Sequence, residues 1–346
     1  MSHAPFRVAI TADAASPDGS TSFGDIGLDR LASHGVEWEV LPRYVDPLPA
    51  DDLRGYHAVL SLGHTTFGEE LVKDLPDLRL IARFGAGVDS IDVDACTRAG
   101  IAVTNTPDGV RRPLALAALT LVLSLAHNLP AKDRLVRTGN WADRSRFRGH
   151  GVDGKVLGII GFGSVGADLA ALAQGLGFTV IGSNRSSRHP EASRLGVELL
   201  EVDAVVAAAD YLVLTASLNE QSRGMIDGRR LGLMKPTAFL INVGRGALVD
   251  HASLVSVLRA RTIAGAGLDV FDPEPIDPSD ELVGFDSVIL SPHSLPHTEE
   301  FTRDVARSAL DAIIAISEKR APRYLLNPEV LHSDSWARKT AVSPGD

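Results

Sequence analysis

Three short segments of this chain each follow an apolar stretch and each carry a group able to hold charge or move a proton. They hold Arg245 in Ile-Asn-Val-Gly-Arg-Gly, Glu274 in Asp-Val-Phe-Asp-Pro-Glu-Pro, and His293 in Ser-Pro-His-Ser. A guanidinium grips a carboxylate through two parallel N–H donors and polarises the carbonyl beside it, a task for which Lys is a poorer geometric match. An imidazole gives a proton to a carbonyl oxygen as hydride arrives and takes it back in oxidation. A carboxylate next to that imidazole holds it in one tautomer and favours its charged form. The set suits reduction of a 2-oxo acid. Taken singly, each residue reads as a surface ion pair or a satisfied core histidine. Their meaning comes from recurring in order after apolar strands, because ligands of open parallel sheets gather at the carboxyl ends of the strands.

A hydride source is written beside them. An apolar strand at 156–160 runs into Gly161-Phe-Gly163-Ser164-Val165-Gly166, a helical pattern follows to Leu176, and a second strand comes at 179–182. A lone GxGxxG is weak, but this context is the one a dinucleotide requires. Gly161 allows the tight turn, Gly163 lets the backbone approach a diphosphate, Gly166 lets helix and strand pack closely, and the helix N-terminus offers N–H donors. Where an acid at the end of the second strand would bond a ribose diol and repel a 2′-phosphate, the chain has Asn184, followed by Arg185, two serines and Arg188. Two cations and no acid suit a phosphate, so NADP(H) is the preferred cofactor, with NAD(H) also accommodated through Asn184.

The elements that must position these groups follow from pattern. Short apolar runs at 7–11, 58–62, 78–83, 156–161, 179–182, 211–214, 238–243, 266–269 and 288–290 alternate with helix-length segments, which predicts α/β architecture with parallel sheets. A chain of 346 residues is long enough for about two domains. With 34 Lys+Arg against 44 Asp+Glu, the net charge of −10 disfavours nucleic-acid or anionic-membrane partners. One cysteine, Cys96, allows neither a disulfide framework nor a thiol metal site, and no metal is expected; a reducing cytoplasmic compartment fits. No signal peptide is legible, and the apolar stretch at 114–126, interrupted by Thr120 and Ser124, reads as a buried helix rather than a membrane span.

These motifs, with Arg83-Phe84-Gly85-Ala86-Gly87-Val-Asp89-Ser-Ile-Asp and Asn105-Thr-Pro, resemble the NAD(P)-dependent D-isomer-specific 2-hydroxyacid dehydrogenases over about residues 78–298. The resemblance implies two doubly wound parallel-sheet domains, a Rossmann cofactor domain inserted into a flavodoxin-like substrate domain. Residues 1–103 would open the substrate domain, 104–295 form the cofactor domain, 296–331 complete the substrate domain, and 332–346 be a tail. It implies that Arg245 binds substrate, that Glu274 is the acid and that His293 is the proton donor beside the cofactor. The backbone of Phe84, Gly85, Ala86 and Gly87 would receive the substrate carboxylate, and Asp269, Thr215, Val243 and Gly244 would touch the cofactor.

The resemblance further implies a glyoxylate- or hydroxypyruvate-type reductase whose segment at 132–141, anchored by Trp141, extends across a partner, and the apolar 114–126 helix, which must be buried on several sides, predicts a dimer formed through the cofactor domain. Departures are Asn184, Ala117 where relatives carry Glu, Ser294-Leu-Pro296 after the histidine, and Arg111-Arg112-Pro113, which suits either an acidic ligand group or a solvated helix start. His64, His150, His251 and His297 read as surface or helix-end residues. Two other readings keep the fold: a phosphite or other-donor dehydrogenase, and a dinucleotide-sensing corepressor-like scaffold whose output is domain closure.

Overall fold

The computed structural model describes residues 5–186 and 188–340 and divides into two compact units, Met1–Val110 with His297–Asp346, and Arg111–Pro296. The second unit is therefore an insertion in the chain of the first.

The first unit is built on a five-stranded parallel sheet of β1 (Phe6–Ile10), β2 (Val36–Val40), β3 (Ala58–Ser61), β4 (Leu80–Arg83) and β5 (Ala102–Thr104), in the order β2-β1-β3-β4-β5. That is the flavodoxin-like winding. Its central strands are apolar on both faces because helices cover both, and Val8–Ile10, Ala58–Leu60 and Leu80–Ala82 are all fully buried. β2 is different. Val-Glu-Trp-Glu-Val alternates, turning Glu37 and Glu39 outward at the sheet edge, so its period hides it among buried-strand signals. The Glu299–Ser317 helix, begun by Thr298 whose hydroxyl accepts the Phe301 N–H, lays Phe301, Val305, Leu310 and Ile313 against this sheet.

The second unit carries seven parallel strands: β6 (Val156–Ile160), β7 (Thr179–Ser183), β8 (Glu198–Leu199), β9 (Tyr211–Leu214), β10 (Phe239–Asn242), β11 (Gly265–Leu268) and β12 (Val288–Leu290). They are ordered β12-β11-β10-β9-β6-β7-β8, with the reversal of winding between β6 and β9 that places a dinucleotide at the carboxyl ends. β10 and β11 carry no exposed residue, and Gly265 and Gly267 let β11 lie close to Ser287 and to Leu121.

The Pro107–Ala126 helix is long and apolar enough to cross a membrane by length and composition alone, but most of it is buried. Ala115, Ala118, Leu121, Val122 and Leu125 belong to the core of the second unit, which accounts for its apolar character without a bilayer. The segment read from sequence as a tail is structured as far as Thr340. The Pro328–His332 turn leads into a helix at Asp334–Thr340, Gly100 has no room for a Cβ against Ser335 and Trp336, and the Lys339 ammonium donates to the carbonyls of Leu75 and Leu78. Its polar composition conceals that docking. Residues 341–346 lie outside the described residues.

Candidate active site

In the second unit the glycine-rich motif and the segments of Asn184, Arg245, Glu274 and His293 fall at the carboxyl ends of the strands. Gly161 has φ +90°, a conformation L-residues avoid, and a Cβ there would lie 2.4 Å from the Ala216 backbone. Gly166 packs on Ile159, where a Cβ would be 3.1 Å from its methyl group. At Gly163 a Cβ would meet nothing closer than 3.9 Å, so protein packing does not demand glycine there. Open space over the N-terminus of the Ser164–Gln174 helix is what an approaching diphosphate needs. The backbone N–H groups of Ser164, Val165 and Gly166 have no acceptor among the described residues. These residues fit a dinucleotide by donor chemistry and by shape. Thr215 serves this turn from below, its hydroxyl donating to the Gly161 carbonyl at 2.9 Å.

The turn after β7 is locked by its own side chains. Asn184 Oδ1 accepts the Arg185 N–H at 2.9 Å, and the Ser186 hydroxyl donates to the Arg188 carbonyl at 2.9 Å. Arg185 and Arg188 are exposed and form no ion pair among the described residues, in a chain whose surface arginines are mostly matched with acids. Ser187 lies outside the described residues.

The turn after β10 shapes the backbone around Arg245. Asn242, 1% exposed, donates from Nδ2 to the Arg245 carbonyl at 2.9 Å and accepts the Gly244 N–H at 3.1 Å. Gly244 cannot carry a Cβ, which would lie 2.9 Å from the Ala216 carbonyl oxygen, and its own carbonyl accepts from the Arg245 guanidinium at 2.8 Å. Gly246 is even tighter, 2.0 Å from the Phe271 carbonyl carbon, so the Arg245 turn and the Phe271–Glu274 turn are pressed together. Val243 is buried.

Glu274 and His293 form one unit. The Phe271 N–H donates to Glu274 Oε1 at 2.8 Å, while Oε2 accepts from His293 Nδ1 at 2.7 Å. A carboxylate partner at Nδ1 fixes that nitrogen as a donor and directs the exchange of protons to Nε2. His293 has φ +52°, rare for a residue with a Cβ, and its backbone is held by specific bonds. Its N–H donates to the Ser291 carbonyl, and Asp269 Oδ1 accepts the N–H groups of Ser294 and Leu295 at 3.1 and 3.2 Å. Asp269 is 1% exposed; burial pushes its carboxyl above the usual range, opposed by the Ser291 hydroxyl and these two amides. Its contacts make Asp269 a clamp on the histidine turn. The sequence did not single out Asn242 or Ser291, although a polar residue ending an apolar strand is a visible signal for Asn242.

The first unit holds the Phe84–Gly87 loop after β4. The Phe84 ring is 2% exposed and packs on Phe23 and Phe301, so its side chain belongs to the core. Its N–H donates to the Ser61 carbonyl and that of Gly85 to the Thr106 hydroxyl at 2.9 Å. The amides of Ala86 and Gly87 have no acceptor among the described residues. Gly85 has φ +139°, which makes the turn glycine-dependent.

Arg111 and Arg112, the fifth and sixth residues of the Pro107–Ala126 helix, face Asp168 across 3.5 and 3.9 Å and are half exposed. His64, His150 and His297 are exposed, and His251 opens a helix with Nε2 2.9 Å from Asp280.

A family model described as the D-isomer specific 2-hydroxyacid dehydrogenase NAD binding domain matches residues 119–294. A glyoxylate reductase of Thermococcus onnurineus is 35% identical over 314 residues, covering 88% of this chain and 94% of the relative. One of Aeropyrum pernix is 36% identical over 313 residues, covering 87% and 93%. Among solved structures, an NADPH-dependent glyoxylate/hydroxypyruvate reductase of Sinorhizobium meliloti in complex with NADP and malonate superposes with a TM-score of 0.81 at 27% identity, over 93% of this chain and 97% of that one.

Proposed function

The chain belongs to the D-isomer specific 2-hydroxyacid dehydrogenase family, and from that premise we propose that it reduces small 2-oxo acids of the glyoxylate or hydroxypyruvate kind with a preference for NADPH. It is an NAD(P)-dependent enzyme similar to glyoxylate reductases. The observation that carries the reading is the Phe271–Glu274–His293 relay, a carboxylate held by a backbone amide and itself holding an imidazole.

When bound, the nicotinamide supplies the hydride. Arg245 binds the substrate carboxylate and polarises the neighbouring carbonyl. His293 delivers a proton from Nε2 to the carbonyl oxygen, and Glu274 stabilises the cation that exists before transfer. The Ala86 and Gly87 amides receive the carboxylate as a small anion nest. The Ser164–Gly166 amides hold the diphosphate, and Val243, Gly244 and Asp269 keep the nicotinamide end in place.

NADPH preference rests on Asn184, Arg185 and Arg188: no carboxylate on this turn repels a 2′-phosphate, and two guanidinium groups with no ion pair among the described residues attract it. Dimerisation rests on exposed apolar residues of the second unit, Leu116, Leu129, Val136 and Trp141, of which the last is 62% exposed. Most of the Pro107–Ala126 helix is covered by its own unit, with Leu116 left exposed. A cytoplasmic location accords with the single buried thiol of Cys96.

The test is a matrix of NADH and NADPH against glyoxylate, hydroxypyruvate, pyruvate and bulkier 2-oxo acids, scored by kcat/KM. The highest value falls on NADPH with glyoxylate or hydroxypyruvate. Turnover of phosphite alone, or tight NADPH binding with no turnover of any oxo acid, would overturn the reading.

A further inference from the structure

The Ala86 and Gly87 amides, without an acceptor among the described residues, belong to peptide groups whose opposite ends are held. A trans peptide is planar, with C=O and N–H pointing in opposite directions, so fixing the carbonyl aims the amide. The carbonyl of Gly85, which shares its peptide with the Ala86 N–H, accepts the Thr106 N–H at 2.9 Å. The carbonyl of Ala86, which shares its peptide with the Gly87 N–H, accepts Asn105 Nδ2 at 2.8 Å. The backbone bond from Thr106 is open to any residue at that position. The bond from Asn105 needs its side chain.

We infer that Asn105 is a positioning residue for substrate binding: by holding the Ala86 carbonyl it turns the Gly87 N–H outward to form one half of the carboxylate receptor. The inference rests on the proposed role of this loop. Glycines on both sides of Ala86 leave the peptide plane free to rotate unless something grips it, so without Asn105 each binding event must fix a dihedral pair that is otherwise already set. Arg83 braces the same loop further out, its Nε donating to the Gly87 carbonyl at 3.2 Å and its NH1 to the Leu62 carbonyl at 3.0 Å. Thr106, 1% exposed, ties down Gly85 from both its N–H and its hydroxyl. Asn105 is thus the one side chain among these whose amide group acts on the Ala86–Gly87 peptide itself.

The experiment compares wild type, Asn105→Ala and Asn105→Ser, whose hydroxyl is too short to reach the Ala86 oxygen. KM for glyoxylate and the inhibition constant of oxamate, a non-reducible carboxylate, are measured with NADPH affinity, kcat and melting temperature. Amide spectra of the NADPH complex, titrated with oxamate, report on Ala86 and Gly87. Both variants raise KM and the oxamate constant together by about five- to twentyfold, keep kcat at saturation within about threefold, leave NADPH affinity within about twofold, and abolish the oxamate response of the Gly87 amide. Unchanged KM and oxamate constants in either folded variant overturn the inference. So does joint loss of kcat, NADPH affinity and carboxylate affinity, or a failure of both variants to fold, since a general scaffold role predicts those. A wild type whose Ala86 and Gly87 amides ignore oxamate would instead refute the carboxylate-loop reading itself.

Discussion

In the proposed function the two units bind charge by opposite means. At the strand ends of the second unit the work falls to side chains: Arg245 on a turn shaped by Asn242, and His293 joined to Glu274 at 2.7 Å. In the first unit the corresponding edge offers backbone amides, Ala86 and Gly87, and the side chains around them act as braces. Sequence is informative in the second unit and less so in the first. Side-chain chemistry announces itself by residue type, whereas a backbone receptor is spelled by glycines and by remote residues whose purpose appears only when their partners are known.

The sharpest way to break this contrast is at His293. His293→Gln removes the proton donor while preserving a polar side chain, and kcat falls by about 10²- to 10⁴-fold with NADPH affinity, read by cofactor fluorescence, little changed. A variant with near-full kcat would deny the second unit its side-chain chemistry.

Next in size is the cofactor turn. Asn184→Asp combined with Arg185→Ala restores a repelling carboxylate and removes one attracting cation. The ratio of kcat/KM for NADPH to that for NADH drops by about tenfold to a hundredfold, carried mostly by KM because the adenosine end takes no part in hydride transfer. If the ratio does not move, the turn is simply solvated.

A smaller effect tests the backbone side of the comparison. At Gly85 the nearest atoms a Cβ would meet are those of the Arg83 guanidinium at 3.5 Å, ordinary contact distance, so the cost of Gly85→Ala lies chiefly in φ +139°. The variant loses about 1–3 kcal/mol of stability by denaturant titration and has a raised KM for the oxo acid. Equal stability and KM would show that the loop does not depend on its backbone conformation.

The smallest effect concerns Asp269, whose carboxyl is held above its ordinary range chiefly by burial. An acid raised in the folded state contributes stability that is present below its unfolded pKa and lost as pH rises through its folded value. Asp269→Asn retains an acceptor for the Ser294 and Leu295 amides and has no charge to bury. Its melting temperature without cofactor therefore gains on wild type as pH climbs above about 4, and a difference independent of pH would contradict the burial argument.

Much of the fold was legible because buried parallel strands are written as unbroken apolar runs: Val59–Ser61, Ile159 and Leu240 announce themselves. What escaped did so for physical reasons. Val36–Val40 alternates because it lies at an edge, Ala102–Thr104 and Glu198–Leu199 are too short to show a period, and the Asp334–Thr340 helix docks through Lys339 and backbone contacts rather than an apolar stripe. At the site, Arg245, Glu274 and His293 were visible as types in ordered motifs. The clamps on them, Asn242 and Asp269 acting through backbone amides, carry information only in three dimensions, as does the finding that Phe84 and Gly85 have already spent their N–H groups.

In the proposed function this chain reduces 2-oxo acids to their D-hydroxy products. Incubation with NADPH and hydroxypyruvate, followed by chiral chromatography of the product, tests it most directly. The prediction is D-glycerate formed in step with NADPH consumed, and lost in His293→Gln. Production of L-glycerate, or no NADPH oxidation by any 2-oxo acid, would contradict it.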